Sequence, residues 1–251
     1  WGFAIAALPT LLQWQPDLVY ARSYVLPWLS SRLGFTTVAE KHTAVGNFSP
    51  PFRWLVRATQ LEAFALWVTI SRRLADYYYQ RGTAKGKIIV LPDAVDLELF
   101  QRPTPLPPSP YGTAGIHVAY VGHLYDYKGI PTILAAAARL PDIQFHLIGG
   151  LQEDIHRQQR RLSDLQLTNV TLHGLKPQVE IPAFLWHADL LLLPPSQHHA
   201  SAAWTSPVKL AEYLASETPV IASDILALRD WVTEDEVNFF EPDSADALAA
   251  S

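Results

Sequence analysis

The sequence predicts an α/β protein built on parallel sheets, on three observations. Short, nearly continuous apolar segments alternate with helical patterns along the chain, as they do where strands are buried on both faces. A proline-rich stretch, Pro103-Thr104-Pro105-Leu106-Pro107-Pro108-Ser109-Pro110, divides that alternation in two. The run Ser206-Pro207-Val208-Lys209-Leu210-Ala211-Glu212-Tyr213 sets a cation and a carboxylate on one face at a helix start.

At 251 residues the chain has room for two domains with cores of their own. Before the proline-rich stretch, strands are expected at Asp17–Ala21, Phe35–Ala39, Leu66–Ile70 and Ile88–Leu91, with Ser71 capping a helix after the third. After it they are expected at Ile116–Val121, Ile143–Ile148, Val170–His173, Leu190–Leu193, Pro219–Ala222 and Val237–Phe240. Helical patterns fill the gaps, among them Ile130–Leu140, Ile155–Leu167 and Pro207–Ser216. The expected division is a first domain over 1–100, a loosely packed linker over 101–115 and a second domain over 116–251.

Composition removes several classes of function. With 19 basic against 24 acidic residues the net charge is −5, which argues against a nucleic-acid partner held by bulk electrostatics. Arg157, Arg160 and Arg161 read as one solvated helix face. The absence of cysteine excludes disulfides and thiolate metal sites and fits a reducing, cytoplasmic setting. No apolar run is long enough to span a bilayer; Trp1 to Leu12 is short, broken by Pro9 and lacks the charged start of a signal peptide. A chain that opens on Trp1 and contains no methionine is expected to be a fragment or a processed product.

The chemistry concentrates at helix starts. Ser206 is a good N-cap and Pro207 suits the first helical position. A capping box would place Glu or Gln at the third position, where Lys209 stands instead. A cation there opposes the helix dipole and is sensible if an anion docks beside it. Glu212 shares its face, so cation, free N–H groups and carboxylate together suit a nucleotide. The same spacing also suits a solvated helix whose Lys209 and Glu212 simply pair. A second such start follows a strand in Val121-Gly122-His123-Leu124-Tyr125-Asp126-Tyr127-Lys128-Gly129. Gly122 permits a sharp turn or close approach to a ligand, and Lys128 is again a cation at a helix start. Neither the P-loop pattern nor Gly-x-Gly-x-x-Gly occurs. Ile148-Gly149-Gly150 is either a further close-approach turn or a plain strand-to-helix turn.

Taken in order, these segments resemble the retaining glycosyltransferases of family 4, which have the GT-B fold. Also matching are Val68-Thr69-Ile70-Ser71, Ile89 to Phe100, Val170-Thr171-Leu172-His173-Gly174 and Ala188-Asp189-Leu190 with Leu193-Pro194. The resemblance implies two Rossmann-like domains with parallel sheets, the first binding the acceptor and the second a nucleotide-diphospho-sugar as co-substrate, with no cofactor. It implies that Glu212 holds the ribose hydroxyls, that Lys128 stabilises the departing diphosphate, and that backbone at Leu175 and Lys176 lies near the base. His42, in Glu40-Lys41-His42, matches a family histidine near the transferred sugar, or is an ordinary loop or core histidine. The acceptor would be a glycan, lipid or small molecule, and peripheral attachment to the inner membrane face is open.

The departures are specific. The family usually has Arg where His123 stands, and a first glutamate where Trp204 stands. The family's opening strand would precede Trp1 and its final helices would follow Ser251, so the first domain is expected to be incomplete. No Asp-x-Asp occurs, and the adjacent His198 and His199 read as a loop feature rather than metal ligands. Two other functions compete: a non-catalytic GT-B-like module that binds a nucleotide, a sugar or a protein, and an epimerase of the same fold.

Overall fold

In the computed structural model, residues 2–44, 49–112, 115–204 and 206–251 are described. Trp1, and Thr113 and Ala114 of the expected linker, lie outside the described residues. The chain divides into two units, one running to Asp93 and taking in Trp204–Ser206, the other comprising Ala94–Ala203 and Pro207–Ser251.

The first unit contains α1 (Gly2–Ala6), α2 (Leu8–Trp14), β1 (Val19–Ala21), α3 (Val25–Arg32), β2 (Thr37–Lys41), α4 (Pro50–Ala58), β3 (Phe64–Thr69), α5 (Arg72–Tyr79) and β4 (Ile88–Val90). Its four strands form a parallel sheet in the order β1-β2-β3-β4. Phe52, Leu55, Phe64, Trp67, Leu74 and Tyr78 form a core between sheet and helices. Ser71 caps α5 as the sequence predicts, its Oγ accepting the Leu74 N–H at 3.3 Å. β2 begins two residues after its expected start because Phe35 completes the end of α3. Its N–H donates to the Ser30 carbonyl at 3.1 Å, around Gly34 at φ +88°.

The second unit contains α6 (Leu97–Phe100), β5 (Ile116–Val121), α7 (Ile130–Ala137), β6 (Ile143–Ile148), α8 (Gln152–Asp164), β7 (Val170–Gly174), α9 (Ile181–Trp186), β8 (Leu190–Leu193), α10 (Val208–Ala215), β9 (Val220–Ser223), α11 (Leu226–Arg229), β10 (Asn238–Phe240) and α12 (Ala245–Ala250). Its parallel sheet runs β10-β9-β8-β5-β6-β7. The chain winds outward from β5 in one direction and from β8 in the other, so β5 and β8 flank the point where strand order reverses. Open α/β sheets bind ligands beyond the strand carboxyl ends at that point.

Three local expectations are corrected. α7 ends at Ala137 rather than Leu140, because the Asn169 amide donates to the carbonyls of Ala137, Leu140 and Ile143 and turns the chain. α8 lies three residues earlier than its apolar pattern indicates. The Asp154 carboxylate accepts the Leu151 N–H at 3.2 Å and starts the helix, while Gln166 at φ 53° marks its end. The expected linker over 101–115 is anchored at two points, although no residue of its proline-rich stretch is buried. Tyr111 is buried and donates to the Phe184 carbonyl at 2.6 Å, and His187 bonds the Pro107 carbonyl at 2.7 Å.

One row of buried and half-buried histidines escapes the sequence reading. His117, His146 and His173, one from each of β5, β6 and β7, are linked by ring-to-ring hydrogen bonds of 2.9 Å, and Tyr111 stacks over His117. Burial pushes His146 down to about 4, and its neighbours His173 and His117 push the same way. The unfolded chain, whose histidine titrates near 6.5, therefore binds more protons than the folded one between about 4 and 6.5. Stability is lost as pH falls through that window and is unaffected by this group above it. Thermal unfolding midpoints are expected to drop on acidification from about pH 6.5, more steeply in the wild type than in His146→Gln. Equal slopes would show that the row titrates without cost to the fold.

Candidate functional site

A cavity of about 360 Å³ opens at the carboxyl ends of β5, β6 and β7 in the second unit. Gly122 and His123 border it after β5, Gly149 and Gly150 after β6, and Leu175 and Lys176 after β7. Lys209 and Glu212 of α10 close one side. Gly149 is a close-approach turn: at φ +116°, a Cβ there would lie 2.3 Å from the Gly122 carbonyl oxygen.

Glu212 is buried, with 5% of its surface exposed. Its Oε2 accepts from the Lys209 ammonium at 2.7 Å, so the two groups do pair. The helix start differs from the expected one. α10 begins at Val208 with Pro207 as its N-cap, and no side-chain cap bond is made to it among the described residues. The Ser206 hydroxyl is diverted because it accepts the Asp93 N–H at 3.0 Å. The first turn of α10 thus lacks the side-chain acceptor that the sequence assigned to it, and an anion can supply one.

Lys128 does not line the cavity. It ends a single 3₁₀ turn, Asp126–Lys128, after the loop that carries His123. Its ammonium lies 5.4 Å from the Tyr127 ring centroid and makes no ion pair among the described residues. Burial alone holds its pKa below the ordinary lysine value. A half-buried cation with no anionic partner favours the arrival of an anion. The loop before it carries a stack of rings. His123 lies on Tyr125 at 5.0 Å, Tyr125 on Tyr127 at 5.5 Å, and Tyr127 on His199 at 4.0 Å.

The ten residues singled out by sequence do not all meet. Gly122, His123, Leu175, Lys176, Lys209 and Glu212 share the cavity; Lys128, Ser206 and Pro207 are not among its lining. His42 belongs to the first unit, where its Nε2 lies 2.6 Å from Glu40 Oε1. Burial raises the Glu40 pKa, but the hydrogen bonds of His42 and Tyr20 outweigh it and hold the carboxyl below its usual value. Beside it Lys41 is buried, donates to the carbonyls of Arg22 and Ser23, and is pushed down to about 7 by burial. Trp204 groups with the first unit, its carbonyl accepting from Ser71 Oγ at 3.0 Å.

Phe100, Gln178 and Ile181 also line the cavity. Sequence reasoning missed Phe100 and Ile181 because an apolar wall has no spacing signature, and Gln178 because a lone amide has none either. Among the described residues, no group of three or more His, Cys, Asp or Glu is placed to hold a metal ion, and no helix is long and apolar enough to cross a membrane.

Residues 115–251 match the family model described as Glycosyl transferases group 1, and residues 1–99 match that described as Glycosyltransferase Family 4. WcaL of Escherichia coli (strain K12), which bears the name of a colanic acid biosynthesis glycosyltransferase, is 27% identical over 216 residues. The match covers 82% of this chain and 50% of WcaL, so the chain spans half the length of that curated relative. Among solved structures, Anabaena Alr3699/HepE in complex with UDP is similar at TM-score 0.77 and 17% identity, over 98% of this chain and 70% of that one. Sucrose-phosphate synthase from Thermosynechococcus elongatus is similar at TM-score 0.73 and 20% identity, over 99% of this chain and 66% of that one. At such identities the likeness is one of fold, and that fold is GT-B.

Proposed function

Because this chain belongs to the glycosyl transferases group 1 family, we propose that it binds a nucleotide-diphospho-sugar in its second unit and serves the transfer of a hexose-type sugar from it, with retention, to a hydroxyl acceptor. The single observation that carries this reading is the buried Glu212, paired with Lys209 beside glycine turns at the carboxyl ends of a parallel sheet. An ionised carboxylate has about four lone-pair sites. The Lys209 bond uses one, and a ribose diol can take two others.

The roles follow from chemistry. Gly122 and the loop after it bring backbone close to the phosphates. Lys209 and the uncapped first turn of α10 face the same anion, and Leu175 and Lys176 border the base. As the bond from sugar to diphosphate breaks and the acceptor oxygen bonds to the same face, negative charge grows on the leaving group. Lys128 stabilises that charge electrostatically, a role that needs neither a metal nor a protein-borne proton. His123, in place of an arginine, contributes fully only when protonated. His42 is the first unit's candidate for contact with the sugar. Uridine is the base to try first, since the HepE structures hold UDP and, in another, UDP-glucose. A glycan is the acceptor class that the WcaL name favours.

A non-catalytic binding module is the second reading, favoured by Trp204, which offers no carboxylate to the donor. Turnover separates the two. Incubation with UDP-glucose and GDP-mannose, with and without a glycan acceptor, is expected to release nucleoside diphosphate from one of them. Stoichiometric binding without release would select the binding module.

A further inference from the structure

We propose that Arg157, Gln158 and Arg161 of α8 are positioning residues that hold the 122–129 loop in the one conformation in which His123 and Lys128 meet a diphosphate. The inference rests on the nucleotide-sugar reading above. It also corrects the reading of this basic cluster as a solvated face, which holds only for Arg160, exposed to solvent.

The three side chains all reach the same loop. The Leu124 carbonyl accepts from Arg157 Nη2 and from Gln158 Nε2, both at 2.9 Å. Arg161 grips Asp126 with two parallel bonds, Nη1 to Oδ1 at 2.6 Å and Nη2 to Oδ2 at 2.8 Å. Asp154 orients Arg157 in turn at 2.6 Å. Three more carbonyls of the loop are tied as well. His123 accepts from the Tyr120 hydroxyl at 2.8 Å, Tyr125 from the Lys128 N–H at 3.0 Å, and Tyr127 from the Ser196 N–H at 2.9 Å. Gly129 seals the far end, since a Cβ there would stand 1.8 Å from the Pro194 carbonyl oxygen.

Stability alone does not call for this arrangement. Gln158 is fully buried, and burying an amide gains little over burying an apolar side chain of equal size. What the amide gains is a fixed position for Leu124 O. The Arg161–Asp126 pair is partly exposed and adds little energy as a surface ion pair, but its fork fixes an angle. The loop so fixed holds a half-buried Lys128 without an ion-pair partner among the described residues. A cation pre-placed for an anion needs no reorganisation when the ligand arrives, which is how electrostatic sites gain affinity and rate.

The test compares the wild type with Arg161→Ala, Arg157→Ala and the exchange Asp126→Arg/Arg161→Asp, titrating each with UDP, GDP and ADP and with the matching monophosphates. For the nucleotide that binds, both alanine variants are expected to lose at least about tenfold in diphosphate affinity while monophosphate affinity stays within about twofold. The exchange variant is expected to recover part of the loss. Arg161 is partly exposed, so its alanine variant keeps the test open if Arg157→Ala unfolds. Unchanged diphosphate affinity in folded Arg161→Ala, or an equal loss for both phosphate states, would overturn the positioning role. A wild type that binds none of the nucleotides would instead overturn the nucleotide reading on which it rests.

Discussion

Replacing Lys128 by alanine is expected to lower sugar transfer by about two to three orders of magnitude while the unfolding midpoint stays level or rises. The two halves of this expectation share one cause. Lys128 is half-buried, its pKa is lowered by burial, and it has no ion-pair partner among the described residues. It is a partly desolvated charge whose printed compensation is the Tyr127 ring at 5.4 Å, so its removal costs the fold little. In the transition state it would add a second cation, beside Lys209, to the charge on the departing diphosphate, and its removal would leave that charge less well answered. Lys128→Arg should restore part of the rate, since the charge returns on a longer and flatter head. Initial rates of nucleoside diphosphate release, measured beside thermal unfolding, check both halves. A rate within about threefold of wild type would remove Lys128 from the reaction.

The second large effect is expected at Glu212. Glu212→Ala should weaken binding of the nucleoside diphosphate about tenfold or more, roughly 1.4 kcal/mol or more. The variant loses a buried acceptor for the ribose hydroxyls and leaves Lys209, its partner at 2.7 Å, unpaired at the cavity wall. The effect should be selective. Wild type should prefer the ribonucleotide over its 2′-deoxy form, whereas the variant should bind the two alike. A variant that keeps the preference would show that the hydroxyls are held elsewhere and that the Lys209–Glu212 pair is only structural.

Much of the second unit was legible because its signals are local. β5, β6 and β8 lie at their expected bounds, since a strand buried on both faces is a run of apolar residues with polar flanks. Six of the candidate residues share one cavity because each follows a strand end or sits in the first turns of α10, and parallel topology gathers such positions. The failures have long-range causes. Ser206 reads as a cap, but its hydroxyl is taken by a backbone N–H 113 residues away. The arginines of α8 read as a solvated face because their partner is a loop more than thirty residues earlier. The histidine row was readable in principle. His117, His146 and His173 recur at spacings of 29 and 27 residues, one strand–helix unit each, and only parallel register turns that recurrence into contact.

Every role proposed above depends on a nucleoside diphosphate binding in the second unit, and calorimetric titration of the folded chain with UDP, GDP and ADP measures that binding. One of the three is expected to bind at one per chain, and Glu212→Ala is expected to weaken that binding while leaving the fold intact. A folded sample that binds none of them, at concentrations up to about 1 mM, would contradict that expectation.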